Sequence, residues 1–314
     1  MADLRRLLAN LAWRRAVVRA CYTCLATVVL GMAHGSAVAA IVEERTTVPV
    51  RVRTVDGRDV ERAIVVALFL ESSSPAPRPL LVLNHGRSGS AAERARLRTS
   101  DYAAAARWLT RFGFIVAVPV RVGYGETGGE DVEDSGSCAQ KVYPPTFHAS
   151  AVETLAVLKV LRRRPDAASD RAVVVGQSFG GTTAIAVAAL NPPGVQGAID
   201  FAGGGGGGPV SHPQHPCSEP ALHALFAGYG KSARMPTLSL YSENDTYFGP
   251  TFPAEWFEAF KAAGGTGEFV RFPPVSDNGH LLFSRGTELW HPRVQAFLAS
   301  LGYLPPTRPP RGSP

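Results

Sequence analysis

The sequence predicts an α/β fold with a mostly parallel central sheet, helices on both faces and an antiparallel hairpin at its N-terminal edge. Three observations predict it. Residues 47–55 and 60–70 are strand-like runs on either side of Asp56-Gly57, the composition of a tight hairpin turn. Beyond them, short apolar runs alternate with helical patterns, as expected of parallel strands joined by crossover helices. The sharpest alternation is Val173-Val174-Val175-Gly176-Gln177-Ser178-Phe179-Gly180-Gly181, where a buried-strand pattern breaks into a Gly-flanked serine and continues as the small, apolar segment 182–190.

The remaining elements follow in order. Residues 80–84 read as a buried strand, 100–112 as a helix, 114–120 as a strand and 147–161 as a helix ahead of the Val173 strand. Residues 197–201, 236–241 and 268–272 read as later strands, with helices near 253–263 and 289–301. Ligands of such sheets bind beyond the carboxyl ends of the strands, so the loops there are candidate walls of a site. Two are long, 123–145 and 203–220, and each carries one cysteine, Cys138 and Cys217. The glycine run 203–208 lacks the following Lys and Ser/Thr of a phosphate cradle and reads as a flexible loop.

Residues 1–40 differ from the rest. Arg5, Arg6, Arg14, Arg15 and Arg19 precede an apolar stretch at 20–33, and Ala37-Val38-Ala39 offers small residues for cleavage, the pattern of a secretory signal peptide. The apolar stretch is well short of the ~20 residues a bilayer requires, so no stable membrane anchor is expected after leader removal. The expected location is periplasmic or secreted. The leader's five arginines and Asp3 account for +4 of the net charge of +6, leaving about +2 on residues 41–314, which removes the case for a nucleic-acid partner. Cys21 and Cys24 would leave with the leader. In an oxidising compartment the remaining pair, Cys138 and Cys217, suggests one disulfide, the alternative being two free buried thiols. Residues 41–303 then form the catalytic domain, and 304–314 a disordered Pro/Arg-rich tail.

A serine on a sharp strand-to-helix turn is a nucleophile elbow, and its hydroxyl requires an adjacent base held by an acid. Residues 236–241 run into Ser242-Glu243-Asn244-Asp245, placing an acid at a strand's carboxyl end; Asp245 is the candidate and Glu243 its nearest rival. Residues 268–272 lead into a loop ending in Asp277-Asn278-Gly279-His280, so His280 fits the base. His34, His148, His223 and His291 read as surface or core residues. His212, His215 and Cys217 are close enough to raise a metal site, but the intervening prolines and the oxidising setting favour a disulfide-bearing loop, and no metal is expected. The two oxyanion donors expected are the backbone N–H of Phe179 and, from Asn84-His85-Gly86-Arg87, that of Arg87. Tyr124, Tyr247 and Phe248 are candidate pocket residues, and His85 reads as structural.

The order Ser178, Asp245, His280 and the blocks Leu81-Val82-Leu83-Asn84-His85-Gly86, Arg121-Val122-Gly123-Tyr124-Gly125, the elbow, Tyr241 to Phe248 and Asp277 to His280 resemble the α/β-hydrolase superfamily, and within it exported dienelactone-hydrolase-like proteins. Dienelactone hydrolases proper carry cysteine at the elbow; Ser178 departs from this, so the dienelactone substrate is not inherited. The resemblance implies a serine esterase that cleaves a small-molecule or polymeric carboxylic ester through an acyl-enzyme, without a cofactor. The alternatives are a prolyl-oligopeptidase-like peptidase or amidase, for whose extra domain the chain has no room, and a non-catalytic exported binding protein on the same fold.

Overall fold

The computed structural model describes residues 40–303; the expected leader, with Cys21 and Cys24, and the expected tail at 304–314 lie outside the described residues. No helix among the described residues is long and apolar enough to cross a membrane. Strands β1 (Ile41–Arg53) and β2 (Asp59–Glu71) form the expected hairpin, paired from Ile41↔Glu71 to Arg53↔Asp59. Along β1, Val48, Val50 and Val52 are buried between exposed neighbours, the period-2 pattern of an edge strand with one wet face.

Strands β3 (Arg78–Asn84), β4 (Ile115–Val120), β5 (Ala167–Gln177), β6 (Val195–Phe201), β7 (Thr237–Ser242) and β8 (Gly267–Phe272) complete an eight-stranded sheet of order β1-β2-β4-β3-β5-β6-β7-β8. Only the β1·β2 and β2·β4 pairings are antiparallel; the others are parallel. Alternation along the central strands divides the core in two. Leu80, Val82 and Val174 join one apolar cluster, with α3 (Tyr143–Leu161), α4 (Phe179–Leu190) and α5 (Glu219–Ser232). Leu81, Leu83, Val173 and Val175 join the other, with α2 (Ala103–Leu109) and α8 (Thr287–Ser300). Helices α1 (Ala91–Arg96), α6 (Phe252–Ala262) and α7 (Leu282–Arg285) complete the fold.

Beyond the short helices α1 and α7, which the sequence reading did not include, three further stretches stand apart from it. Helix α3 starts at Tyr143 rather than 147, because Pro144 and Pro145 sit in its first turn, where a missing N–H costs nothing. Helix α5 was not expected: Pro220, Gly228 and Gly230 lower its helix propensity, yet tertiary packing sets Gly230 against the Phe260 backbone, where a side chain could not fit. The glycine run is packed rather than free. Gly203, Gly204 and Gly205 are buried, and a Cβ added at Gly204, Gly205 or Gly207 would press into Phe248, Tyr143 or Tyr247.

Candidate active site

Ser178 lies between β5 and α4 with φ 57° and ψ −124°, a conformation that costs a non-glycine residue about 1–3 kcal/mol. The surroundings hold it there. Its N–H donates to Phe201 O at 2.8 Å and its C=O accepts from Gly181 N–H at 2.8 Å. Gly176 and Gly180 are required by close approach: a Cβ at Gly176 would overlap the Gly180 carbonyl, and one at Gly180 would overlap those of Asn84 and His85.

The turn brings Ser178 Oγ to 2.9 Å from His280 Nε2, while His280 Nδ1 lies 2.9 Å from Asp245 Oδ2. Asp245 has no solvent exposure and His280 only 5%. The other carboxylate oxygen, Oδ1, accepts the N–H groups of Tyr247 (2.7 Å) and Phe248 (3.1 Å). A carboxylate so fixed accepts the hydrogen bond from Nδ1–H, which keeps that proton on Nδ1 and leaves Nε2 as acceptor for the serine hydroxyl. The rival Glu243 is exposed and outside this chain of hydrogen bonds. Asn278 Oδ1 ties the two loops together, accepting from His280 N–H at 3.0 Å and Thr246 N–H at 3.2 Å. Tyr247 stacks on the imidazole at 4.0 Å and Phe248 meets it edge-on at 5.3 Å.

Arg87 N–H and Phe179 N–H donate to no acceptor among the described residues, whereas Gly86 N–H donates to Tyr102 Oη at 3.0 Å. The orientation of Arg87 N–H follows from its own peptide group. Arg121 N–H donates to His85 Nε2 at 3.1 Å, so Nε2 is unprotonated and the proton sits on Nδ1, which reaches Gly86 O at 2.7 Å. Arg121 Nη2 donates to the same carbonyl at 3.4 Å and Nη1 to His85 O at 2.8 Å. In a trans peptide the C=O and N–H point oppositely, so anchoring Gly86 C=O beneath the loop directs Arg87 N–H outward. Burial and the neighbouring Arg121 push the His85 pKa well below its ordinary value, which keeps the ring neutral.

Arg121 is itself held by Glu133 at 2.5 Å, with both side chains fully buried, and Tyr124 Oη donates to Glu133 at 2.6 Å. This corrects the expectation for Tyr124, which supports the loop from below and does not line the cavity because its hydroxyl is committed to Glu133. His85, expected to be structural, bridges Arg121 N–H and Gly86 C=O and so shapes the loop that carries Arg87 N–H. The ring's partner, Arg121, lies on a different strand end, so neither role was visible from spacing.

The cavity above Ser178 has a volume of about 580 Å³ and is lined by Phe179, Tyr143, Tyr247, Phe248 and Gly204 to Gly207. Cys138 and Cys217 form a disulfide that ties together the two long loops at its wall. His212 Nε2 lies 3.4 Å from Cys217 Sγ, but both sulfurs belong to the disulfide and are not thiolate ligands; His215 packs on Phe252 at 6.0 Å. The bridge closes a span of 79 residues. Replacing both cysteines by serine is expected to lower stability by about 2–4 kcal/mol, read as a lower denaturant midpoint that reductant no longer shifts.

Glu153 is buried behind this network, with Oε2 accepting Val122 N–H at 3.0 Å. Burial, reinforced by the nearby Glu133, pushes its pKa up to about 8. The folded chain then holds a proton that the unfolded chain releases near its ordinary value of 4.5, so stability falls as pH rises from there to about 8. Glu153→Gln is therefore expected to raise the melting temperature at pH ~9 and to change it little at pH ~4. An equal change at both pH values would contradict the shift.

The sequence profile of the dienelactone hydrolase family matches residues 73–288. No curated protein matches the sequence. Among solved structures, a Klebsiella pneumoniae protein described as a dienelactone hydrolase aligns over 84% of this chain and 99% of its own, at 17% identity and a TM-score of 0.57. An esterase of Pyrococcus furiosus aligns over 81% of this chain and 90% of its own (15% identity, TM-score 0.54). An acetyl xylan esterase of Paenibacillus sp. R4 aligns over 84% and 90% (16%, 0.52). At these identities the likeness carries the fold, and it agrees with the sheet and elbow described above. With its profile match spanning most of the sheet and every loop around Ser178, the chain belongs to the dienelactone hydrolase family, a family of α/β-fold hydrolases.

Proposed function

We propose that this protein is a serine hydrolase that cleaves carboxylic esters through an acyl-enzyme. The observation that carries this reading is the continuous hydrogen-bond chain from Ser178 through His280 to Asp245, with both links at 2.9 Å. His280 Nε2 takes the Ser178 proton as Oγ attacks the ester carbonyl, and Asp245 stabilises the imidazolium. The Phe179 and Arg87 N–H groups hold the resulting oxyanion. Collapse of the tetrahedral intermediate transfers the proton from His280 to the departing alcohol. Water, deprotonated by the same imidazole, then releases the acid and regenerates Ser178.

Esterases among the structural neighbours support the ester as substrate class. The disulfide fits an oxidising compartment and so supports export. Incubating the protein with a fluorophosphonate probe should label Ser178, and short-chain p-nitrophenyl esters should be turned over in preference to the matching anilides. Absence of both labelling and turnover would reject the proposal.

A further inference from the structure

A second cavity, of about 380 Å³, adjoins the triad on its other side. The cavity above Ser178 is lined by Ser178, Phe179 and Arg87 but not by His280; the second is lined by His280 and Gln177 but not by Ser178. The 2.9 Å Ser178–His280 hydrogen bond therefore marks the boundary between them.

We infer that the two halves of the ester occupy different cavities, the acyl group above Ser178 and a neutral, hydroxyl-bearing alcohol in the groove beside His280. This rests on the hydrolase reading, and it follows from where the proton goes. The acyl carbon is bonded to Ser178 Oγ, and its oxygen faces Phe179 and Arg87 N–H, all of which belong to the first cavity. When the intermediate collapses, the bond from the acyl carbon to the alkoxy oxygen breaks and that oxygen takes its proton from His280 Nε2. The leaving oxygen must lie on the His280 side, so the rest of the alcohol extends into the second cavity.

The lining of that groove selects the chemistry. Leu97, Leu281 and Phe283 supply apolar surface, Ser284 a hydroxyl, and Glu93 and Asp101 two carboxylates against the single cation of Arg96. Hydroxyl donors of a neutral alcohol can meet the carboxylates while its C–H surface meets Phe283 and the leucines. An anionic alcohol meets net negative charge. The opposite wall of the first cavity, with Tyr143 and the glycine run held by the disulfide, bounds the acyl group.

The test uses two ester series on the mature protein: acetate esters of methanol, glycerol, a monosaccharide and glycolic acid, and p-nitrophenyl esters of increasing acyl length. Ser284→Trp and, independently, Leu97→Trp narrow the groove, and Lys141→Trp, at a residue that lines the first cavity, narrows that one. The expected result is that either groove variant lowers kcat/KM for the monosaccharide acetate relative to methyl acetate by about tenfold or more, with the acyl-length dependence unchanged. Lys141→Trp should do the reverse. In the unmodified protein the glycerol ester should be preferred about tenfold over the anionic glycolate ester. Groove variants that steepen the acyl-length dependence and leave the alcohol series unchanged would overturn the cavity assignment. Equal use of the anionic and neutral alcohols would overturn the chemical class. Loss of all turnover and of Ser178 labelling in the unmodified protein is a different result, and it would remove the hydrolase reading itself.

Discussion

Ser178→Ala is expected to lower kcat for short-chain esters by a factor on the order of 10⁴–10⁶, leaving only the residual rate supplied by binding and the oxyanion donors. The fold should survive, because the hydroxyl's hydrogen bond in the structure is to His280 Nε2, and His280 lines a cavity from which water can replace the lost donor. Far-UV circular dichroism and the melting temperature should match those of the unmodified protein. Alanine also retains the strained φ of 57°, so no backbone relief is expected. Asp245→Asn should be nearly as damaging while leaving Ser178 in place. An amide at 245 can present its NH₂ to Nδ1 and so favour the tautomer in which Nε2 carries the proton and cannot accept from Ser178. A residual rate within tenfold of the unmodified protein in either variant would mean that the hydrogen-bond chain is not the catalytic one.

Arg121→Met is expected to have the second largest effect, and on two observables at once. It removes the closest cation from the fully buried Glu133 carboxylate and leaves only Arg87 Nη1, at 4.0 Å; breaking such a buried pair typically costs about 3–5 kcal/mol. It also removes the guanidinium from the carbonyls of His85 and Gly86, so the peptide carrying Arg87 N–H loses one of its two anchors. The combined variant Arg121→Met with Glu133→Leu separates these effects. Removing both charges should restore most of the stability, since a buried pair replaced by apolar groups is often neutral. It should not restore kcat, because Gly86 C=O still lacks its second donor; a misplaced oxyanion donor costs up to about 2.7–4 kcal/mol of transition-state stabilisation. Recovery of stability and kcat together would reduce Arg121 to a purely structural residue.

Much of the site was legible in the sequence because its chemistry is tied to strand ends. Ser178, Asp245 and His280 each directly follow a strand or occupy the loop after one, and apolar runs of the kind in residues 236–241 mark such ends plainly. Cys138 and Cys217, one on each long loop, suggested a disulfide, and the structure joins them. What escaped was whatever depends on contact between segments distant in sequence. Helix α5 was hidden by residues of low propensity that packing overrides. The glycine run was read as loose because glycine is permissive, whereas here it is glycine because Phe248, Tyr143 and Tyr247 leave no room for a Cβ. Tyr124 was given to the pocket on its position after β4, although its hydroxyl turns inward to Glu133.

By itself, then, the chain determined its alternating strands and helices, the parallel character of its sheet and the order of its serine, acid and histidine, since each is a local pattern of apolar period, turn composition or residue type. Tertiary structure alone decided that Asp245 rather than Glu243 meets His280, that His85 and Arg121 aim the Arg87 peptide, and that one cavity faces the serine and another the imidazole. Those outcomes turn on differences of an ångström or two between side chains brought together by the sheet. No linear spacing encodes distances that only the packed core sets.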